Sequence, residues 1–537
     1  MPREQVRFYG CDLSGRRVRA EDRPRGRLNG RMPLPEPDAA LCRALAADLA
    51  AADYHAERLR AVWGTDADGA LGRGQALPAR RRLAGDTRPQ AVIARLFGLG
   101  DAVKTRQADD SFPTVGVDGL ERLGLIARRA DAVVPKVLIR PQGVADEHGD
   151  GEWWIASDLD EAALGGALPE DHVLGVGGAS MTLATIQLTS PAERALDLGA
   201  GCGIQSLRAR RVAASVVATD VSERALRFTR LNALLNGVSG IHTRRGDMFG
   251  PVAGETFDRV VSNPPFVITP RATGVPAYEY RDGGRVGDGL VAEFVSDVGA
   301  VLAPGGTAQL LGNWESLDGR SGLDRVRSWI EGTGLDAWVV EREVLDPVAY
   351  AELWIRDGGT APGSDGFERL LAAWLDDFEE RGVTAIGFGY ILLRRPVSGA
   401  PTLARYERIA QPVAESGLGA HLTRALAAHD RLAVLDDEGL AASVLTVAPD
   451  VTEARHHMPG ADSPSAIELH QGGGFRRSVP ADPALAALVG ACDGELTVGA
   501  LIEAIAQLLE VDAGSLRADV LPRVRELVFA GFLSFPG

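Results

Sequence analysis

Short apolar runs alternate with amphipathic stretches through the middle of the chain. Seven of these runs have the length and β-branched composition of strands, and they lie near residues 195, 216, 241, 257, 307, 337 and 388. Most are separated by stretches with helical periodicity. Strands that alternate with helices predict an α/β fold built on a doubly wound sheet. A longer insertion, about 346–382, precedes the last run.

The pattern changes on the N-terminal side of this region. Residues 1–37 are rich in Arg, Gly and Pro without periodicity, which predicts a flexible leader. Residues 38–62 carry an apolar stripe at helical spacing, and 88–99 indicate another helix. An apolar strand pair then covers about 126–139. Helices followed by such a pair predict a winged-helix-like module, which serves nucleic-acid binding or protein contact.

The C-terminal side begins after a linker that contains Pro and Gly, at 397–401. Residues 484–535 are helical in pattern with a break at 492–495, and they resemble a small winged-helix or peptide-recognition domain. The predicted organisation is a leader at 1–37, an N-terminal winged-helix-like domain at 38–164, an α/β domain at 165–396 and an accessory domain at 397–537.

Composition narrows the class of protein. The chain has 537 residues, of which 45% are hydrophobic, so it can bury cores in about three domains and is not a disordered chain. Neither a run of eighteen apolar residues nor an export signal is present, so we expect a cytoplasmic protein without a membrane partner. Four scattered cysteines form neither a disulfide framework nor a zinc motif, and no metal is predicted.

The most informative segment is Ala195-Leu-Asp-Leu-Gly-Ala-Gly-Cys-Gly203, an apolar strand that ends in glycines. Gly199, Gly201 and Gly203 allow a tight turn and close approach of a ligand, because they lack Cβ. A dinucleotide fingerprint requires its third glycine where this chain has Ile204, which counts against a nicotinamide or flavin cofactor.

Two further acids follow apolar runs. Asp220 ends the run that begins at Ser215, at the spacing expected of an acid that binds ribose hydroxyls. Asp247 lies in the next loop, Thr243–Met248. The alternative to ligand binding is that each acid has only a structural role, as a helix cap or a turn residue.

A second motif, Val260-Val-Ser-Asn-Pro-Pro-Phe266, follows about sixty residues later. Prolines 264 and 265 stiffen the loop and leave carbonyls exposed to a ligand. The Asn263 side-chain oxygen and the Pro264 carbonyl can each accept one N–H of a planar amino group, and Phe266 can stack on it. The alternative is a turn after an edge strand.

Together these motifs resemble class I methyltransferases that use S-adenosylmethionine (SAM), specifically the small-domain type with an Asn-Pro-Pro-aromatic motif. That group includes ribosomal RNA guanine-N2 methyltransferases and release-factor glutamine methyltransferases. The resemblance covers about 173–395 and implies a seven-stranded sheet whose last strand, 386–394, is antiparallel. It assigns cofactor binding to Asp197, Gly199, Gly201, Gly203, Asp220, Asp247 and Asn263. It assigns catalysis to Asn263, Pro264, Pro265 and Phe266.

The resemblance implies N-methylation of a planar amine, and three classes of function stay open. Phe266 favours a base amine in RNA or DNA; the alternatives are a protein glutamine amide or small metabolite, and a SAM-binding regulator without activity. A net charge of −16 disfavours indiscriminate nucleic-acid binding. Five arginines near the predicted site form either a local basic patch or an ion-paired face, and the second is favoured: Arg208, Arg210, Arg211, Arg244 and Arg245.

Overall fold

The computed structural model describes residues 35–536, apart from 147–148, 165–167, 170, 273, 276–280, 282, 415 and 461. Nearly all of the predicted leader therefore lies outside the described residues. So do Tyr278 and Tyr280, which lie between the Asn-Pro-Pro-Phe motif and the next helix and for which the sequence predicts stacking on a substrate.

The N-terminal region is mainly helical. Its helices are α1 (Ala39–Ala51), α2 (Ala56–Trp63), α3 (Thr65–Leu71), α4 (Leu77–Arg82), α5 (Pro89–Ile93), α6 (Thr105–Ser111) and α7 (Gly116–Arg122), and a π-helical turn (Ala94–Gly98) extends α5. Its strands β1 (Val103–Lys104), β2 (Ile126–Arg129) and β3 (Ala132–Pro135) pair antiparallel in the order β1-β3-β2. The name winged helix for this region stays a prediction.

The single helix predicted over 38–62 is wrong. Asp38 caps α1 by accepting hydrogen bonds from the amides of Ala40 and Leu41 at 2.9 Å. The helix then ends because Asp53 has a φ of 57°, which is left-handed and incompatible with a continuing α-helix. Asp and Asn tolerate this conformation better than most residues, and here the apolar periodicity continues across the break.

A two-stranded hairpin links this region to the main sheet. Strands β4 (Val137–Asp146) and β5 (Gly149–Asp158) pair antiparallel, and the short α8 (Glu161–Leu164) follows them.

The central region is an α/β layer structure. Its elements before the Asn-Pro-Pro-Phe motif (263–266) are α9 (Gly178–Ile186), β6 (Ala192–Leu198), α10 (Ile204–Ala209), β7 (Ala213–Asp220), α11 (Glu223–Leu235), β8 (Ile241–Arg245) and β9 (Phe257–Ser262). Those after it are α12 (Gly289–Asp297), β10 (Leu302–Leu317), α13 (Gly322–Ile330), β11 (Asp336–Leu345), α14 (Pro347–Asp357), α15 (Asp365–Glu380), β12 (Val383–Arg394) and β13 (Ala404–Arg408).

The sheet order is β13-β11-β12-β10-β9-β6-β7-β8. All seven predicted strands, β6 to β12, are confirmed, and within this sheet β12 alone runs antiparallel to its neighbours, as the resemblance implies. An eighth strand, β13, comes from beyond the predicted linker and pairs in parallel with β11. The order reverses at β6, which lies between β9 and β7; ligands of open α/β sheets bind at such a switch point.

The C-terminal region packs against this sheet. Its helices are α16 (Leu418–Ala433), α17 (Asp437–Ala441), α18 (Pro483–Ala491), α19 (Val498–Leu509) and α20 (Ala513–Phe529). Its strands are β14 (Val444–Val447), β15 (Val451–His456), β16 (Ala466–Gln471), β17 (Ser478–Ala481), β18 (Asp493–Thr497) and β19 (Leu533–Ser534). They form two three-stranded sheets, β18-β14-β19 and β15-β16-β17.

Two hydrophobic cores cross the predicted domain boundaries. One runs from α9 through the main sheet to β19, and the other joins the N-terminal helices to α10 and α11. Hydrogen bonds also join α11 to the hairpin strand β5. The side-chain oxygen of Asn232 accepts from the Ala156 amide at 2.8 Å, and its side-chain nitrogen donates to the Ala156 carbonyl at 2.9 Å. No helix in the described ranges is long and apolar enough to cross a membrane.

Candidate active site

The glycine loop connects β6 to α10 at the carboxyl edge of the sheet. Gly199, Gly201 and Gly203 all have left-handed φ values, of 75°, 55° and 86°. A Cβ at Gly203 would lie 3.0 Å from the Thr229 side chain, so this glycine permits close packing against α11. A Cβ at Gly199 or Gly201 would meet nothing within 4 Å. These two glycines therefore border open space at the switch point, where a ligand has room.

Asp197 lies at the end of β6 and is completely buried. The Ser206 hydroxyl donates a hydrogen bond of 2.6 Å to its Oδ2, while Oδ1 accepts no hydrogen bond within the described part of the chain. Burial raises the pKa of Asp197 to about 7, and the hydrogen bond from Ser206 opposes that shift. Asp197 therefore supports the glycine loop through its hydrogen bond with Ser206. Its Oδ1 atom is still available to accept a hydrogen bond.

Asp220 lies on the neighbouring strand and is tied to the same loop. Its Oδ2 accepts from the Gly201 amide at 2.9 Å, and its Oδ1 accepts from the Ser222 amide at 2.8 Å. The bond from Ser222 corresponds to the turn role that the sequence left open as the alternative for Asp220. The bond from Gly201 holds the carboxylate beside the open space that Gly199 and Gly201 border. Each carboxylate oxygen has two lone pairs, so these bonds are compatible with further donors.

Asp247 follows the next strand and is more exposed. Its side chain is 68% accessible, and the nearest cation is the Arg285 guanidinium at 3.8 Å. The Gly246 amide donates to the Asp220 carbonyl at 3.0 Å, so the two predicted acids sit on adjacent loops at one edge of the sheet.

The Asn-Pro-Pro-Phe loop follows β9, on the other side of β6. The Ser262 hydroxyl donates to the Leu198 carbonyl at 2.8 Å and ties the end of β9 to the start of the glycine loop. The Asn263 amide nitrogen donates to the Ser180 hydroxyl at 3.2 Å, but its Oδ1 is buried and accepts no hydrogen bond among the described residues. Buried polar atoms are nearly always paired, so this oxygen marks where a donor from a ligand belongs.

A cleft of about 440 Å³ opens beside this loop. Phe266 and Phe388 line it, with their rings 5.6 Å apart at an angle of 48°. The other lining residues are Ala179, Asn313, Glu343, Leu345, Tyr350, Leu353, Trp354 and Ile386. The lining is mostly apolar with a few polar groups, as is usual for a small-ligand site.

The insertion supplies one wall of the cleft through Tyr350, Leu353 and Trp354 of α14. The Tyr350 hydroxyl accepts hydrogen bonds from the Ile268 amide at 3.0 Å and from the Asn313 side chain. Burial raises the pKa of Tyr350 well above its usual range, so this group stays protonated. Ser180 and Tyr350 were not predicted from the sequence, because Ser180 lies 83 residues from Asn263 and Tyr350 lies 82 residues from Ile268.

The five arginines near the site serve the fold. Their partners are the carbonyls of Ala184 for Arg208, Ser239 and Ala213 for Arg210, Gly149 for Arg211 and Val221 for Arg245, and the carboxylate of Glu255 for Arg244. Hydrogen bonds from Arg244 and Arg194 lower the pKa of Glu255 to about 2. Arg244 matches the ion-paired interpretation, whereas the carbonyl bonds of the other four hold those side chains to the fold without neutralising their charge.

Asp288 immediately precedes α12, a position where an Asp side chain commonly caps the helix, but its side chain does not do so here. Its carboxylate accepts from the Glu315 amide at 2.9 Å and pairs with Arg325 instead. Within the described residues, no group of three or more His, Cys, Asp or Glu side chains is arranged to hold a metal ion.

Three family models match the chain. Residues 176–323 match the family described as "Methyltransferase small domain". The flanks, 51–136 and 426–535, match two domains of unknown function, DUF7059 and DUF7782. The central match confirms the predicted class: this region is a methyltransferase small domain of the class I type, and its cofactor is SAM.

Curated relatives align with the same region. The chain is 35% identical to the release factor glutamine methyltransferase of Xylella fastidiosa over 133 residues, which is 23% of this chain and 47% of that protein. It is 30% identical to the ribosomal protein uL3 glutamine methyltransferase of Bradyrhizobium diazoefficiens, covering 26% and 46%. It is 33% identical to the ribosomal RNA small subunit methyltransferase C of Chromohalobacter salexigens, covering 22% and 32%. The chain thus spans less than half the length of these three relatives.

Proposed function

We propose that this chain is a SAM-dependent N-methyltransferase that modifies a planar amino nitrogen of a macromolecule. The observation that carries the proposal is the buried Asn263 Oδ1, which accepts no hydrogen bond among the described residues and lies in the loop beside the aromatic cleft. A methyl acceptor with an –NH2 group supplies the missing donor.

The residues around the glycine loop fit SAM. Gly199 and Gly201 border the open space in which it would lie, and the Asp220 carboxylate would hold its ribose hydroxyls. Asp247 would receive the adenine amino group, and Asp197 would support the loop from below. When bound, SAM supplies a methyl group activated by a sulfonium; its transfer to nitrogen leaves S-adenosylhomocysteine and releases one proton.

The acceptor loop would orient the nitrogen. The Asn263 Oδ1 and the Pro264 carbonyl would each accept one N–H, which directs the nitrogen lone pair toward the methyl donor. Pro265 keeps the loop stiff, and Phe266 packs against the flat acceptor. Positioning of this kind supplies most of the rate enhancement in a displacement on a reactive methyl group, so no strong general base is required.

Two acceptors present such a nitrogen. The exocyclic amine of a base in RNA or DNA is favoured by Phe266 and by the aromatic lining of the cleft, on which a base can stack. A glutamine side-chain amide is favoured by the net charge of −16. We also propose that the reaction takes place in the cytoplasm.

Tritium transfer tests the reaction. The full-length chain, with SAM labelled in its methyl group, is incubated separately with protein, RNA, DNA and small-molecule fractions of cells that lack its gene. We expect label on nitrogen in one macromolecular fraction, and an initial rate of labelling at least about 100-fold lower with an Asn263→Ala variant. Label in no fraction would contradict the proposal.

The role of Asp220 gives a separate prediction. Asp220→Asn replaces one carboxylate oxygen by a donor, so it removes about one charge-assisted hydrogen bond to the ribose. We expect the affinity for SAM to fall about tenfold, measured by calorimetry. Asp247→Asn is the matched control: because that side chain is exposed, we expect a loss of about twofold. Equal affinity in wild type and Asp220→Asn would show that Asp220 serves only the turn.

A further inference from the structure

Asn313 is a buried polar residue that lines the cleft. It lies on β10 opposite Phe388 of β12, and Phe388 in turn lies opposite Glu343 of β11. Directly opposed residues of antiparallel strands point to the same face of a sheet, so these three side chains form one row along the cleft with the aromatic ring in the middle. Asn313 is 1% exposed, whereas Glu343 is exposed. Asn313 is therefore the enclosed polar end of this row.

One atom of the Asn313 side chain is not used by the fold. Its Nδ2 donates to the Tyr350 hydroxyl, while its Oδ1 accepts no hydrogen bond among the described residues. This Oδ1 is not one of the fully enclosed polar atoms that lack a partner in the described structure, so it reaches the surface of the cleft. An amide oxygen has two lone pairs and cannot donate. The cleft therefore offers this oxygen as an acceptor to a ligand.

Tyr350 fixes the position of that acceptor. Its hydroxyl accepts from the Ile268 amide at 3.0 Å as well as from Asn313. Ile268 comes two residues after Phe266, so a single hydroxyl joins the end of the Asn-Pro-Pro-Phe loop to the side chain of Asn313. The Tyr350 ring is held in turn by three aromatic rings of α14 and α15, whose centroids each lie 6.1 Å away.

The strand register places Asn313 beside the same loop. Strands β9 and β10 pair in parallel as far as Ser262 and Leu310, and Asn313 lies three residues beyond that pair. Asn263 directly follows Ser262. Each residue of a strand advances about 3.3 Å, so Asn313 lies about 10 Å past the last pair, a length that one planar acceptor can span.

We infer that Asn313 determines acceptor specificity: its Oδ1 accepts a hydrogen bond from a second N–H of the acceptor, separate from the amino group that is methylated. This inference deepens the proposed function and rests on it. An acceptor with such an N–H satisfies the unused oxygen while its amine contacts Asn263. An amine without a neighbouring donor leaves Asn313 desolvated and unpaired, so the cleft discriminates against it. Tyr350 is the positioning residue for Asn313.

The test measures how methylation depends on this oxygen. The full-length chain and its variants are incubated with methyl-tritiated SAM and the macromolecular fraction that the wild type labels. Asn313→Leu replaces the amide by an apolar group of similar size. We expect kcat/KM for the acceptor to fall about 10- to 100-fold, because the substrate N–H is left without a partner. The affinity for SAM, measured by calorimetry, should be as in wild type.

Three further variants separate recognition from structure. Asn313→Asp keeps an acceptor oxygen toward the cleft, and we expect kcat/KM within about fivefold of wild type. Tyr350→Phe removes only the hydroxyl and should lower kcat/KM about three- to tenfold, since Asn313 loses the partner that positions it. Thr307→Val is the matched control: it makes a polar-to-apolar change at a buried residue of the same strand, six residues from Asn313, and should leave kcat/KM unchanged.

Wild-type kcat/KM in Asn313→Leu would overturn the inference and leave the proposed function standing. So would a loss that Asn313→Asp does not recover, or a loss accompanied by lower SAM affinity or a lower thermal midpoint, because Asn313 would then serve the fold. Label in no fraction with the wild type would instead overturn the proposed function.

Discussion

Asn263→Ala is expected to lower kcat by about 100- to 1,000-fold, while the affinity for SAM stays within about twofold of wild type. The Asn263 Oδ1 is the buried acceptor that a substrate N–H would complete, and its side chain otherwise bonds only the Ser180 hydroxyl in the described structure. Alanine removes the orienting acceptor from the reacting nitrogen but leaves the glycine loop and Asp220 untouched. Single-turnover kinetics and calorimetry separate the two effects.

Ser180→Ala is the matched control for this prediction. It removes the 3.2 Å bond to the Asn263 amide nitrogen but leaves the Oδ1 acceptor in place. We expect a loss in kcat of about tenfold, because Asn263 is then less firmly oriented. Normal turnover in Asn263→Ala would show that the Asn-Pro-Pro loop is only a turn after a strand.

The sheet and the motifs were predictable because their signals are local. Each of the seven strands is a compact apolar run, and the glycines at 199, 201 and 203 are required by left-handed φ values at those positions. The order of the motifs then places them at the carboxyl edge of neighbouring strands, and β6 does lie between β7 and β9.

The rest depends on contacts between distant residues. Tyr350 reaches the cleft only because α14 folds back onto the sheet, and nothing in its neighbourhood in the sequence distinguishes it from a core aromatic. The break at Asp53 is a single backbone conformation within a continuous apolar stripe. The roles of Asp197, Asp220 and Asp247 toward SAM remain predictions, as do the proposed domain boundaries.

The eighth strand, β13, was not predicted for a similar reason. Its pairing with β11 ties the C-terminal region to the main sheet. The five residues of β13, Ala404–Arg408, follow a linker-like segment and carry a mixed pattern, yet all five pair with β11, over residues 337–341. The Trp338 indole on β11 donates to Glu407 at 2.7 Å, and its ring contacts those of Phe475 and Phe529. Asp336, also buried, accepts from the amides of Thr402 and Leu403.

Ending the chain after Pro396 is therefore expected to abolish cooperative folding and not merely to weaken substrate binding. The truncation exposes Trp338, and the lost burial of this side chain alone lowers the free energy of unfolding by about 4–6 kcal/mol. It also removes the Thr402 and Leu403 amides, which donate hydrogen bonds to buried Asp336. A typical domain is stable by only about 5–15 kcal/mol, so we expect the remaining sheet to be unfolded.

We expect no cooperative thermal transition of the truncated chain by circular dichroism and no binding of SAM. Co-expression of residues 397–537 with the fragment should restore both, because it returns β13 and the aromatic contacts to the edge of the sheet. A monomeric fragment that melts cooperatively and binds SAM would show that the C-terminal region serves recognition and not the stability of the catalytic sheet.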